Sequence, residues 1–225
     1  MFFPLRDDIP HFRPPVVTVS LIVLNAAVFL FELLLPPQVL QEFFFTFGFV
    51  PAKVLYQLHI FGWRAFIPVL TSTFLHGSFM HIFGNMWFLW LFGDNVEDRF
   101  GHLRFLIFYM LCGITAGLSQ LVHAPHSMVP VVGASGAIAG VMGAYFMMFP
   151  YARIRVMFLF IIIPIFFYIP AYFFLPIWFL TQVTNAFSPI GQVSDVAWWA
   201  HIGGFIFGMA LTPLFDRGLN YRRLA

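Results

Sequence analysis

The sequence predicts an all-α membrane protein, a bundle of six transmembrane helices with an interfacial first loop. Three observations predict it. Of the 225 residues, 61% are hydrophobic and only 9% are charged, whereas a soluble domain carries about 25% charged residues. Phe alone occurs 33 times, too often for a surface that faces water, and the mean hydropathy is +0.89. The apolar residues also fall into runs near the roughly 20 residues that one helical span requires. Six such runs consume about half of a chain this long, which leaves no room for a separate soluble domain. The organisation expected is a cytoplasmic tail over 1–15, the six-helix domain over 16–214, and a second cytoplasmic tail over 215–225.

The first span is residues 16–35, closed by Pro36-Pro37. Residues 38–64 mix Phe43, Phe44, Phe45 and Phe47 with Gln41, Glu42, Lys53, Gln57 and His59, the composition of short amphipathic helices at a membrane interface. The apolar run over 65–92 is too long for one simple span. Thr71-Ser72-Thr73 and Gly77-Ser78 interrupt it, and Ser78 suits a helix N-cap, so the second span starts near Ser78. The third span covers about 103–122 and the fourth 135–149. The stretch 156–187, with Pro164, Pro170 and Pro176 six residues apart, reads as a lead-in segment followed by one span. The sixth span covers about 196–214.

Charge supports this map. Cytoplasmic segments concentrate Lys and Arg, and of the 11 such residues only Lys53 and Arg64 fall on the opposite side. Both termini are therefore expected in the cytoplasm of a multi-pass integral protein, in the plasma (inner) membrane of a prokaryote. A second crossing between Arg155 and Asp195 would put the three C-terminal arginines outside. The N-terminus lacks the basic, apolar, then small-residue order of a cleaved signal, so the first span reads as an uncleaved anchor. The lone cysteine, Cys112, excludes an intramolecular disulfide or a cysteine-based metal site. The net charge of +2 is too small and scattered for nucleic-acid binding. No cofactor or metal is expected.

Polar groups inside a lipid-embedded span are expensive and by default paired or functional. Ser135, His201, Asn85 and His81 stand out, all near the non-cytoplasmic ends of their spans. Ser135 opens the fourth span, and His201 lies about 8 Å into the sixth at 1.5 Å per residue. Ser135 sits in GASGAIAG, where Gly136 and Gly140 form a small-residue pair; Gly204 and Gly208 form another just below His201. Such stripes can serve helix packing alone. If these two stripes pack together, the packing itself brings the serine and the histidine into contact. A neutral imidazole can then take the proton of a hydroxyl that is otherwise a weak nucleophile. A helix N-terminus at Ser135 offers free N–H groups and a positive dipole end to an oxyanion. Asn85 and His81, one turn apart on one face, can add side-chain donors, or can simply bond between helices.

No carboxylate is well placed to make a triad. Asp195 lies off the face of His201 and reads as a cap for the last span, and Glu32 can anchor the interfacial loop. A Ser-His dyad is expected. His76 lies about 140° around from His81, against a metal pair, though it can orient the loop. His123 and His126 read as solvated, and Glu97 and Arg99 as ties for the second loop. The serine motif is not a GxSxG elbow, since Ala137 holds the last glycine position.

Together the motifs FLHGSFMHIFGNM (74–86), VEDRFG (96–101), GASGAIAG (133–140) and AHIGGFIFG (200–208) resemble the rhomboid family of intramembrane serine proteases, over nearly the whole chain. The resemblance implies a six-helix rhomboid-like bundle, Ser135 as nucleophile, His201 as base, and Asn85 and His81 at the oxyanion-stabilising positions. It implies substrates that are single-span membrane proteins, cut in or beside their transmembrane segments. Two departures matter. Many members carry an aromatic residue four after the serine, where this chain has Ala139. Trp63-Arg64 resembles a first-loop dipeptide but lies further from the histidine motif, so no role transfers to it. A catalytically inactive client-binding member is the alternative, signalled by loss of the serine or histidine, and both are present. A transporter would show internal repeats and mid-membrane charges, and the sequence has neither.

Overall fold

A computed structural model of the chain describes residues 2–10, 12–188 and 196–216. Nine α-helices occur among the described residues: α1 (Val16–Glu32), α2 (Pro37–Phe47), α3 (Pro51–Phe61), α4 (Ile67–Thr71), α5 (Phe79–Phe100), α6 (His102–His123), α7 (Ser135–Met148), α8 (Ala171–Phe187) and α9 (Trp198–Phe215). Proline in the first turn starts α2, α3 and α4, where its fixed φ suits the helix and its missing N–H is not needed. Ser78 caps α5, its hydroxyl accepting from the His81 backbone N–H at 3.2 Å. Gly101, at φ +83°, ends α5 and hands the chain directly to α6.

By length and composition, α6 and α9 can each cross a membrane. The segment Pro51–Phe74 together with α5 makes a third candidate bent by 88°, and α1 and α7 are shorter apolar helices. Central to the bundle is α7, whose residues 136–145 are all buried and which packs against α9, α6 and α5. Its run of Gly and Ala explains that position, because small side chains let neighbouring backbones approach closely.

The all-α expectation is corrected in one place. Strands β1 (Phe2–Arg6), β2 (Arg153–Phe160) and β3 (Ile163–Pro170) form an antiparallel sheet in the order β1-β2-β3. The lead-in before α8 is thus a β-hairpin, turning at Ile161-Ile162, with Ile161 at φ +57°. Its β-branched and aromatic residues favour strands, and Pro164 and Pro170 block a helix. Pro164 is tolerated because β3 is an edge strand. The N-terminal residues, expected as a tail, belong to the folded body. Besides pairing β1 with β2, they receive a hydrogen bond from Trp87 Nε1 to the Pro4 carbonyl at 2.7 Å and one from Asn95 to Asp7 at 2.8 Å. Tyr145 also donates its hydroxyl proton to Asp7, and Asp8 pairs with Arg153 at 2.8 Å.

Glu97 and Arg99 do more than tie one loop. Glu97 accepts the backbone N–H groups of Val17 and Thr18 at 2.8 and 2.7 Å, capping α1, and meets His102 at the start of α6 at 2.5 Å. Arg99 makes a two-point ion pair with Asp216 at the end of α9, at 2.6 and 3.0 Å. One short segment therefore holds three helix ends at the face opposite Ser135. The expected cap Asp195 and the C-terminal Arg217, Arg222 and Arg223 lie outside the described residues.

Candidate active site

Backbone contact between α7 and α9 builds the site. A Cβ on Gly204 would overlap the carbonyl oxygen of Gly136, and one on Gly208 would overlap that of Gly140. Gly140 also faces Cys112 of α6, and Gly136 meets Ala116 of α6. The four glycines singled out in the sequence thus lie in one seam. At its head Ser135 is the first residue of α7, and His201 lies in the first turn of α9. The Ser135 hydroxyl lies 2.7 Å from His201 Nε2, within hydrogen-bond distance.

The backbone before Ser135 depends on glycine. Gly133 adopts φ +122°, and a Cβ there would meet His81 Nε2 at 2.5 Å and Asn85 Nδ2 at 3.4 Å. That position is disallowed to other residues both conformationally and sterically. It also brings His81 and Asn85 of α5 against the chain two residues before the serine. The Gly133 N–H bonds to the Ser72 carbonyl at 2.9 Å, and the helical ladder of α7 begins with Ile138 N–H to Ala134 O at 3.0 Å. The N–H groups of Ser135, Gly136 and Ala137 precede that ladder. A cavity of ≈ 660 Å³ is shared by Ser135, His201, His81, Asn85, Trp178 and Gln182.

His76 has a larger part than its sequence position suggested. It is 1% exposed, and its Nε2 accepts from Asn85 Nδ2 at 2.9 Å. Its backbone N–H donates to both Glu32 carboxylate oxygens, at 3.2 and 3.3 Å. Glu32 thus anchors the end of the first loop, and His76 orients the amide of Asn85. The ring of His76 meets that of His81 edge-on at 5.2 Å. Among the described residues no group of three His, Cys, Asp or Glu side chains is arranged to hold a metal.

Where Ala139 leaves no aromatic ring on α7, His201 is flanked from other elements. Trp178 of α8 lies 6.1 Å away and Trp198 of α9 stands edge-on at 6.0 Å. Gln182 of α8, overlooked in the sequence, places Oε1 2.8 Å from His201 Nδ1. The signal that could have found it is the one that flagged the serine, a polar side chain in an apolar run. His123 is exposed, as expected, and also stacks on Trp199 at 3.7 Å, and Ser119 bonds to the Trp199 carbonyl at 2.9 Å.

Fold and site together define a membrane-embedded helical protein in which a serine hydroxyl and an imidazole meet beside a cavity lined by amide and imidazole donors. A family model of the rhomboid domain matches residues 62–217, which takes in every one of these side chains. The chain belongs to the rhomboid family. Curated relatives agree. It is 39% identical over 82 residues to rhomboid protease GluP of Bacillus subtilis, covering 36% of this chain and 15% of that protein. It is 37% identical over 89 residues to rhomboid-like protein 11, chloroplastic, of Arabidopsis thaliana, covering 39% of this chain and 30% of that one. Presenilin-associated rhomboid-like protein, mitochondrial, of Homo sapiens is 34% identical over 94 residues, 41% of this chain and 25% of the relative. The matched segments span less than a third of these relatives.

Proposed function

We propose that the protein is an intramembrane serine endopeptidase that cleaves transmembrane proteins in or near their membrane segments through a Ser135-His201 dyad. The observation that carries this reading is the 2.7 Å approach of the Ser135 hydroxyl to His201 Nε2, in a family that includes a protein named as a protease. In the reaction, His201 Nε2 takes the hydroxyl proton as Ser135 Oγ bonds to the scissile carbonyl carbon. The negative charge that develops on the carbonyl oxygen is met by the Asn85 amide, the His81 ring and the free N–H groups at the start of α7. The tetrahedral adduct collapses, the C–N bond breaks, and His201 returns its proton to the leaving amine. Water then gives a proton to His201 as its oxygen bonds to the acyl carbon, and His201 passes that proton to Ser135 Oγ as the ester C–O bond breaks, releasing the acid and restoring the serine. No cofactor enters the scheme.

The topology that fits is six crossings, formed by α1, α5, α6, α7, α8 and α9, with both termini in the cytoplasm. Support comes from the charge asymmetry and from the shared end of Ser135, His201 and the start of α5. A helix of 14 residues such as α7 is about 21 Å long, shorter than a ~30 Å hydrocarbon layer, which supports a serine set below the non-cytoplasmic surface. Water reaches it through the cavity from that side. Substrate helices approach from the bilayer, and their cleavable sites unwind where small or helix-breaking residues expose a carbonyl. The relatives named come from chloroplast, mitochondrion and Bacillus subtilis, so the proposal concerns sidedness rather than a particular organelle.

The test is cleavage of a single-span substrate in lipid by wild type, Ser135→Ala and His201→Ala. Each variant is expected to lose about 10³-fold or more in rate. Full activity in either variant would overturn the dyad. Absence of both cleavage and Ser135-dependent fluorophosphonate labelling in folded wild type would favour an inactive client-binding member.

A further inference from the structure

The carboxamide of Gln182 has two chemically different ends, and its neighbours decide which one faces His201. Its Nε2 donates to the Trp178 carbonyl at 3.0 Å and to Thr181 Oγ1 at 2.8 Å. The carbonyl can only accept, and Thr181 is free to accept because its own proton goes to the same Trp178 carbonyl at 2.6 Å. The amide is therefore oriented with Oε1 toward His201 Nδ1, 2.8 Å away. An oxygen can only accept, so Nδ1 carries the proton. In a neutral ring the lone pair then sits on Nε2, the atom facing the Ser135 hydroxyl. Gln182 is 5% exposed, so its amide is held by these protein partners rather than by bulk solvent.

Two further observations bear on the choice. No carboxylate meets His201 among the described residues, and Ala139 offers no ring to hold it from α7. The imidazole is instead held from α8, by Gln182 through one nitrogen and by Trp178, one turn earlier on the same face, through its ring. Resting on the protease reading above, we infer that Gln182 is a positioning residue that locks His201 in the Nδ1–H tautomer. The arrangement is a Ser-His-Gln relay whose third member is neutral. A neutral third member fixes orientation but does not stabilise an imidazolium as a carboxylate would. It also comes from a different helix than the serine and the histidine. The proton-accepting form of the base thus depends on α8 being seated against α9.

The experiment uses the full chain in nanodiscs, labelled with ¹⁵N-histidine, with the His201 signals assigned from their loss in His201→Gln. Wild type is expected to show a protonated Nδ1 and a bare Nε2 at neutral pH. Gln182→Met, close in size but with no acceptor, is expected to populate the opposite tautomer. In the cleavage assay its kcat falls by about 10²-fold, while KM changes little. Gln182→Glu keeps the acceptor and is expected to retain most of kcat. Its carboxylate moves the acid limb of the kcat/KM profile to higher pH by about one unit or more, a shift that a merely structural role would not produce. A Gln182→Met protein that unfolds at the wild-type temperature and keeps the wild-type tautomer and kcat would overturn the inference, as would a Gln182→Glu profile that superimposes on wild type. Should wild type neither cleave nor label, the protease reading fails alone, because the tautomer measurement needs no turnover and still decides the role of Gln182.

Discussion

If the seam between α7 and α9 sets the distance between Ser135 and His201, one methyl group placed in it should disable the site without unfolding the protein. Gly204→Ala is the sharpest case, since Gly204 lies three residues after His201 and its Cα faces the carbonyl of Gly136, the residue after Ser135. A carbon–oxygen contact settles at roughly 3.3 Å, and the added Cβ would start well inside that distance. Relief requires the helices to part by roughly 1 Å. That stretches the hydroxyl–imidazole distance from 2.7 Å to about 3.7 Å, too long for a hydrogen bond. A misplacement of about 1 Å lowers catalysis by about 10²-fold. Overpacking costs about 1–3 kcal/mol, offset by about 0.5–1 kcal/mol for replacing a mid-helix glycine. The net is within the 5–15 kcal/mol that holds a typical domain together, so the variant stays folded. Substrate cleavage and fluorophosphonate labelling rates in nanodiscs measure the effect, alongside thermal unfolding. Ile206→Ala, at a position 54% exposed on the same helix, serves as the control. A folded Gly204→Ala protein that cleaves and labels at the wild-type rate would refute the reasoning.

Two other outcomes are expected. Asn85→Ala removes the amide that His76 holds beside Gly133, and should lower kcat by about 10²–10³-fold with a smaller change in KM, read by steady-state cleavage of the same substrate. Glu97→Gln removes the charge that accepts two backbone N–H groups of α1 and faces His102; with a charge-assisted bond contributing about 1.5–3 kcal/mol, a loss of about 2–4 kcal/mol should appear as a lower unfolding midpoint, whereas an unchanged midpoint would mean that α1 needs no cap.

The helix boundaries were legible because punctuation residues act locally. Ser78 caps α5 as its sequence position implied, and the spans read at 103–122 and 135–149 differ by only a residue or so from α6 and α7. The pairing of Ser135 with His201 was legible for a different reason. Two glycine stripes on helices that run the same way can pack in few registers, and the polar residue at the head of each is carried along. What escaped was the sheet. A half-buried strand in water announces itself by alternation, but the hairpin residues 159–163 are all apolar and all exposed, and an apolar run in such a chain looks like a span. The folded N-terminal segment escaped because its partners are distant in sequence: β2 for β1, Trp87 for Pro4, Asn95 and Tyr145 for Asp7, and Arg153 for Asp8.

These failures and successes share one cause. Lipid makes exposed apolar residues inexpensive, which erases the amphipathic patterns that reveal secondary structure in soluble proteins. The same solvent makes an unpartnered polar group costly, so each polar side chain in a buried apolar segment carries more information than it would in water. Ser135, Asn85 and His81 were found by that rule, and Gln182 satisfies it equally. The three prolines over 164–176 obscure from sequence where α8 begins, and so which polar residues lie within a helix. In lipid, the polar residues of a span with unclear ends are as costly to leave unpartnered as those of a clear one. Here those partners run in one chain, from the Ser135 hydroxyl to the His201 ring and on to the Gln182 amide.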